Sequence, residues 1–438
     1  MTAAEAILAA LGTRVRSARE LQEALGVSQS TVWRMLEDAG ERVLRLGRGR
    51  ASRYVAVRDI EGVGKALPLF RVDGEGRAEE IARLRHGADD RWYVEALTDE
   101  DWLRGHAGDG VYDDLPWFVQ DLRPSGFLGR EIGRRMARTL RLPPRPRDWN
   151  DTQLLTFLLH AGEIMPGDLV PGRGSASRAL RPSEQVVTHA ETEYPVLAAM
   201  AAAGNPPGSS AAGEQPKFTA YHAESGAVLV KFSPADDNAV ARRWRDLLIA
   251  EHHALETLRD AGLPAARTRL LFSAGRVFLE SLRFDRAGRS GRLPAFSLDV
   301  VDAEFTGAGG SWYRASRALC DAGLLPPGDV DTVALLQSFG DLIGNTDMHF
   351  GNLSLAPAAR GFRLLPVYDM LPMALAPRQG ELPSLDAFHP QLRENLPVDE
   401  LHVRQLAARF WQAVAADTRC SDDFRELARR LIATSPTS

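Results

Sequence analysis

Residues 343–355 read Ile343-Gly-Asn345-Thr-Asp347-Met-His349-Phe-Gly-Asn352-Leu-Ser-Leu355. The preceding stretch, Val330 to Leu342, has the apolar spacing of an amphipathic helix, and the following apolar run predicts a strand. Between them a carboxylate, Asp347, and an amide, Asn352, stand five positions apart. A carboxylate so placed can orient a hydroxyl and take its proton. An amide oxygen five residues on suits a hard divalent cation, which prefers oxygen ligands. Thr346 or His349 can order the turn. The plainer alternative is a polar capping loop in which Asp347 and Asn352 serve as turn residues.

Three further elements flank this segment. Downstream, Leu364-Leu-Pro-Val-Tyr368-Asp369 ends an apolar run on a carboxylate, and the alternative is a strand-end Asp that caps the next turn. Upstream, Ala227-Val-Leu-Val-Lys231-Phe232 places a lysine inside an apolar strand, where burial is costly without an anionic partner. The alternative is an edge lysine reaching to water. Before it, the small-residue loop from Gly204 to Lys217, followed by a strand Phe218 to Tyr221, lets backbone N–H groups approach a phosphate. That loop is not a Walker A sequence, and alone it reads as a connector. Only Lys65, Lys217 and Lys231 are lysines among 53 basic residues, so two of the three fall in these neighbouring elements. A compact ammonium retained against an arginine bias points to a specific need. Small-residue loop, strand lysine, Asp-x4-Asn and strand-end Asp follow the order in which protein kinases place phosphate-contacting, proton-accepting and metal-holding groups. Together they argue for phosphoryl transfer by positioning and charge neutralisation.

The first sixty residues read as a separate unit. Ala3 to Leu11 has helical composition, Ser17 caps a helix over Ala18 to Leu25, and Ser28 caps another over Gln29 to Asp38. Two helices joined by a three-residue turn containing Gly26 have helix-turn-helix spacing. Gln29, Ser30, Thr31 and Arg34 fall at the end that enters a major groove. Two strand-like runs, Arg42 to Leu46 and Arg53 to Val57, surround Gly47-Arg48-Gly49-Arg50. Six arginines and no acid lie between Arg42 and Arg58. A basic hairpin beside such a helix suits a winged helix whose wing, with Arg48 and Arg50, grips phosphates of double-stranded DNA. The alternative is a solvated basic hairpin on a protein-interaction domain. In the middle of the chain, Leu67 to Val72 and Trp92 to Leu97 predict strands, Glu79 to Leu84 a short helix, and Gly129 to Leu140 a basic helix. Arg141 to Arg147 reads as a Pro/Arg-rich connector.

Composition sets the bounds. The 438 residues are 44% hydrophobic and 25% charged, which excludes wholesale disorder. At about 150 residues per domain the length implies about three units. The most apolar stretch, Val196 to Ala203, is too short to span a bilayer, so no membrane partner is expected. No basic region precedes the first apolar residues, and no secretory leader is expected. Cys320 and Cys420 are the only cysteines, which excludes a disulfide scaffold and fits a cytoplasmic location. The net charge of −5 says little about partners.

At the residues quoted, the sequence resembles the HipA family of bacterial serine/threonine kinases, the toxins of type II toxin–antitoxin systems. The resemblance rests on Ser210-Ala-Ala-Gly-Glu-Gln-Pro-Lys217, Val230-Lys231-Phe232, Arg283-Phe-Asp-Arg286, Gly344-Asn-Thr-Asp-Met-His-Phe-Gly-Asn352 and Tyr368-Asp369, over about residues 65–400. The N-terminal module, Leu115-Pro-Trp-Phe and Gly126-Phe-Leu-Gly-Arg130 are closer to the YjjJ subgroup, which carries its own DNA-binding domain. The resemblance implies an α+β protein: a winged helix-turn-helix over residues 1–60, a kinase N-terminal lobe over 61–282 and a largely helical lobe over 283–438. It implies ATP and Mg2+ as cofactors, Asp347 as catalytic base, and Asn352 and Asp369 as metal ligands. Lys231, Lys217 and Gly213 become contacts to the nucleotide phosphates, and Phe284 an aromatic beside adenine. Ser210, or Ser209 beside it, becomes the autophosphorylated residue. The acid usual before Arg-Phe-Asp-Arg is Leu282 here, with Glu280 two positions earlier. Glu280 and His349 complete the expected nucleotide contacts, and Glu251 is the candidate to pair with Lys231. The implied partners are a protein substrate, such as an aminoacyl-tRNA synthetase or another translation component, and DNA; winged helices often bind as dimers, which leaves a homodimer open. Two other readings stay open: a DNA-binding regulator whose kinase-like body senses nucleotide without transferring phosphate, and a small-molecule kinase.

Overall fold

The computed structural model describes residues 2–47, 49–60, 62–181, 185–203 and 215–434. Its first helices start where short polar side chains can satisfy free backbone N–H groups. Thr2 accepts from the Glu5 N–H and opens α1 (Ala3–Leu11). Ser17 accepts from the Glu20 N–H and opens α2 (Ala18–Leu25). In both, the glutamate reaches back to the cap N–H. Gly26, at φ 65°, stops α2 in a left-handed turn, and Ser28 opens α3 (Gln29–Ala39). The strand pair β1 (Arg16–Ser17) and β3 (Arg53–Ala56), with β2 (Val43–Leu46), forms an antiparallel sheet in the order β1-β3-β2. Ile7, Leu11, Leu21 and Val32 are fully or almost fully buried in the core of this unit.

The middle of the chain builds a five-stranded antiparallel sheet in the order β7-β6-β5-β4-β8, from β4 (Leu67–Val72), β5 (Ala78–His86), β6 (Trp92–Ala96), β7 (Val111–Tyr112) and β8 (Leu169–Pro171). Residues 79–84, expected as a short helix, lie inside β5, which is a correction. Glu, Ala, Arg and Leu favour helix locally, but this segment pairs with β4 on one side and β6 on the other. The two ladders and the burial of Ile81, Ala82 and Leu84 override propensity. The helices α4 (Trp117–Gln120), α5 (Gly126–Thr139), α6 (Asp151–Ala161) and α7 (Arg173–Ala179) belong to this unit.

A second five-stranded sheet has the order β12-β13-β11-β10-β9, with β9 (Val186–Val187), β10 (Lys217–His222), β11 (Gly226–Phe232), β12 (Thr268–Ser273) and β13 (Arg276–Leu282). Side chains alternate between its faces. Phe218, Val230 and Phe278 pack under α8 (Ala190–Ala203) in a small core of their own. Val277 and Leu279 face the other way and join the main core with α9 (Ala239–Asp260).

The rest of the chain adds the hairpin β14 (Arg286–Ala287) and β15 (Gly291–Arg292), and the antiparallel sheet β16 (Phe296–Ser297), β17 (Ser354–Pro357) and β18 (Phe362–Leu364). Its helices are α10 (Leu298–Phe305), α11 (Trp312–Asp321), α12 (Pro327–Ile343), α13 (Glu400–Ala416) and α14 (Asp422–Thr434). The main core runs unbroken from the middle sheet into these helices. Trp117 sits 4.8 Å from Phe296 and 5.7 Å from Phe305, ring centre to ring centre. Asp121 accepts from the Ser297 N–H (3.1 Å) and Oγ (2.6 Å). Within residues 61–282 the middle sheet packs with the C-terminal helices, while the sheet of residues 186–282 has one face on that main core and the other on a small core of its own under α8. Among the described residues no helix is long and apolar enough to cross a membrane.

Candidate active site

Lys231 on β11 is only 4% exposed and lies directly across from Lys217 on β10. Opposed residues of an antiparallel pair share a face, so both lysines point to the same side of the sheet. The Lys231 Nζ donates to both carboxylate oxygens of Glu251 on α9, at 2.6 and 2.7 Å, and to Asp369 Oδ1 at 2.5 Å. Asp369 adopts a left-handed backbone (φ 54°), a conformation that Asp tolerates better than most residues. Burial works to lower the ammonium's pKa, but Asp369 and Glu251 outweigh it and raise it. Burial likewise works to raise Asp369, and Lys231 and Lys217 overcome it, holding the carboxyl at about 2. Glu251 moves the other way, because its burial exceeds what Lys231 offsets. The cluster therefore holds a firmly charged Asp369 beside a firmly charged Lys231.

The loop after α12 meets this cluster from the other side. Gly344, at φ 79°, caps α12, and a Cβ there would lie 2.5 Å from the Phe388 ring. Asn345 follows, 1% exposed. Its Oδ1 accepts from the Asp347 N–H (3.0 Å) and its Nδ2 donates to the Asp369 carbonyl (3.2 Å). Asn352 Nδ2 donates to the Asp347 carbonyl (2.8 Å), which closes the five-residue turn from within. The Asp347 side chain is exposed at the turn's crest. His349 accepts from the Gly351 N–H through Nδ1 (3.1 Å), and its carbonyl accepts from Trp312 Nε1 (2.9 Å). Tyr368 OH donates to the Gly351 carbonyl (2.8 Å) and lies 3.1 Å from Ser354 Oγ, while its ring sits 5.7 Å from that of Phe284.

The structure thus brings Lys231, Lys217, Asp347, Asn352, Asp369, His349 and Phe284 into one neighbourhood. Glu280 is a correction: β13 turns it to the opposite face of the sheet from Lys231. There Tyr194 OH (2.5 Å), Ser225 Oγ (2.8 Å) and Arg269 (2.9 Å) donate to it. Asp285 of the Arg-Phe-Asp-Arg motif is a structural anchor. Burial works against its charge, yet Arg283 and Arg286 hold its carboxyl well below the usual range, and it accepts from the Gly167 N–H at 3.1 Å. Gly213, Ser209 and Ser210 lie outside the described residues. Sequence reasoning gave no role to Asn345, Arg393 or Trp312. Arg393 reaches from a distant segment to Asp341 (2.5 Å) and to the Asn345 carbonyl (2.9 Å). The composition offered one hint: Asn345 is one of six asparagines in the chain.

Residues 209–435 match the model of the HipA-like C-terminal domain, and residues 63–180 match the YjjJ-like toxin, middle domain. Toxin YjjJ of Escherichia coli (strain K12) is 40% identical over 436 residues, 95% of this chain and 94% of that one. This chain belongs to the HipA-like toxin family. The HipA chain of a Shewanella oneidensis MR-1 complex with HipB and operator DNA superposes with a TM-score of 0.55. The match covers 84% of this chain and 96% of that one at 16% identity, which shows a shared fold. The HipA-like fold accounts for the mixed helix-and-sheet architecture.

The N-terminal unit of this HipA-like chain presents Gln29, Ser30 and Arg34 to solvent along α3. Thr31 is half-buried: its Oγ1 lies 2.9 Å from Ser28 Oγ and its N–H is capped by Ser28, so it also serves the helix start. Trp33, to which sequence reasoning gave no role, is 58% exposed in the middle of the same face. Arg48 and the side chain of Arg50 lie outside the described residues.

Proposed function

We propose that the chain is an ATP- and Mg2+-dependent protein serine/threonine kinase of HipA toxin type, joined to an N-terminal winged helix that binds double-stranded DNA. The observation that supports it is the meeting of two sequence-distant halves. The Lys231–Glu251–Asp369 ion cluster on one side touches, through Asn345, the loop that carries Asp347 and Asn352 on the other. In this reading Lys231 and Lys217 hold the nucleotide's phosphates, the Phe284 ring lies beside the base, and Asp347 orients the acceptor hydroxyl and takes its proton as the new O–P bond forms.

The donor set suits Mg2+. Asp369 is held ionised, and the Asn352 amide nitrogen is committed to the Asp347 carbonyl, which leaves its Oδ1 as a neutral oxygen donor. Among the described residues no three carboxylate, imidazole or thiol groups gather. An ion held by Asp369 and Asn352 therefore completes its shell from phosphate and water, as Mg2+ characteristically does. The metal would neutralise charge on the transferring phosphoryl group.

The described geometry also supports a domain reading: a DNA-binding unit over residues 1–60, a middle unit over about 63–181, a sheet lobe over 186–282 and a helical lobe from 283. Three helices followed by the β2–β3 hairpin suit a winged helix, and the related HipA was solved with HipB and operator DNA. Here the fused unit takes the DNA-holding part in the same chain. The test incubates the full-length protein with labelled ATP and Mg2+ beside Asp347→Asn, followed by mass spectrometry for phosphoserine at Ser209 or Ser210. We expect phosphate incorporation to fall by at least 100-fold in the variant. Equal incorporation removes Asp347 from the role of base.

A further inference from the structure

Five arginines, Arg135, Arg138, Arg141, Arg145 and Arg147, stand within thirteen residues that contain no acid, in a chain whose net charge is −5. All five are exposed. Arg147 has a long ion pair with Asp148 (3.7 Å). Among the described residues the other four have no ion-pair partner. Like charges gathered on one exposed surface repel one another, and a bound polyanion relieves that repulsion.

The backbone beneath them is fixed. After α5 the connector turns back along the helix: a Cβ on Gly133 would lie 2.7 Å from the Pro144 carbonyl oxygen and 2.7 Å from Pro146. Trp149 Nε1 donates to the Pro143 carbonyl (2.7 Å). Arg123, turned inward, donates to the carbonyls of Pro146 (3.2 Å) and Trp149 (2.7 Å). Helix and connector thus form one braced surface with arginines along both, which reduces the ordering cost of binding. Phe127 and Trp149 are buried, and none of the large exposed hydrophobic side chains falls between residues 126 and 150. Readers of single strands need exposed rings for bases to stack on. Guanidinium groups alone suit the phosphates of a duplex. The N-terminal unit packs against the same middle unit that carries α5, at the His86 end of β5. The N-terminal unit is further tied to this end of β5 by the Ala88 N–H to the Ala56 carbonyl and the Arg58 N–H to the His86 carbonyl.

We propose that these five arginines form a second duplex-DNA contact, gripping phosphates beside the stretch held by the N-terminal unit. The choice of DNA rests on the reading of that unit as a winged helix; the polyanion-binding character of the surface does not. The test measures binding of the full-length protein to a mixed-sequence 40-bp duplex across a salt series. It compares wild type, a surface variant (Arg135→Gln, Arg138→Gln, Arg141→Gln), an N-terminal variant (Arg34→Gln, Arg48→Gln, Arg50→Gln) and their combination. Each phosphate that is no longer neutralised should lower the salt slope by about 0.9, so the surface variant should lose two to three units of slope and roughly ten-fold or more in affinity. The combined variant should lose the sum. An unchanged slope and affinity in the surface variant overturns the proposal, as does a loss confined to a structured RNA probe. If the N-terminal variant binds as wild type while the surface variant does not, the winged-helix reading fails and the surface stands.

Discussion

Lys231 is the residue on which the site's electrostatics turn. It separates a buried carboxylate, Glu251, from a partly buried one, Asp369, and it keeps Asp369 ionised while Glu251 sits above its ordinary pKa. Removing one partner of a buried ion pair typically costs about 3–5 kcal/mol, because the remaining charge is left uncompensated. In Lys231→Met that burden falls on two carboxylates, and the fold can relieve it only by protonating one. Glu251, already raised, takes the proton. A carboxyl raised in the folded state contributes stability fully below its unfolded pKa and loses it as pH rises through the folded value. The variant should therefore show a large drop in melting midpoint at pH 8 and a clearly smaller one at pH 5. Calorimetry at both values checks this, and an equal deficit would show that no carboxyl near Lys231 takes up the proton. Asn345 is the other pivotal residue, since both of its amide atoms are committed to site backbone. Asn345→Ala should cost about 1–3 kcal/mol of stability by orphaning the Asp347 N–H. It should also lower phosphate incorporation more than it weakens nucleotide binding, as measured by titration calorimetry.

At the level of elements, α12 aims the loop that carries Asp347 and Asn352, and its last turn depends on Gly344. The left-handed φ there costs a β-carbon residue about 1 kcal/mol, and the Phe388 ring occupies the space a methyl would need. Gly344→Ala should lose about 1–3 kcal/mol in urea unfolding. Adding Phe388→Leu should restore the part due to overlap and leave the backbone part. These local requirements explain which features were legible in the sequence. Ser17 and Ser28 marked helix starts because capping is settled within three residues, and Asp347, Asn352, Asp369 and Lys231 stood out because their spacing is a chain property. Glu251 was within reach because it lies on a long helix next to the lysine strand. The strand β5 was misread because its conformation is decided by β4 and β6, not by its own residues. Glu280 was misassigned because one position on a strand reverses the face, and Arg393 was invisible because its partner, Asp341, lies 52 residues away.

For the molecule as a whole, the joint between the middle sheet and the C-terminal helices is the feature the sequence concealed most, and Asp121 sits in it. Burial pushes its carboxyl up to about 6, although Ser297 donates two hydrogen bonds to the charged form. The folded value is above the ordinary 3.8, so the sign is fixed. The contribution to stability is complete below about pH 4 and is lost as pH rises through about 6. At pH 8 the ionised group costs the joint about 1–2 kcal/mol, allowing for partial solvent access. Asp121→Asn keeps the shape, retains an acceptor for the Ser297 N–H and can donate to its Oγ, but carries no charge. It should melt at or above wild type at pH 8 and at or below it at pH 4.5. Because the same core continues from Trp117 through Phe296 to the C-terminal helices, the shift should appear in the transition that also abolishes the nucleotide binding proposed above. A separate, earlier transition for the middle unit, with nucleotide binding intact, would show that the joint does not couple the two, whatever the continuity of packing between them.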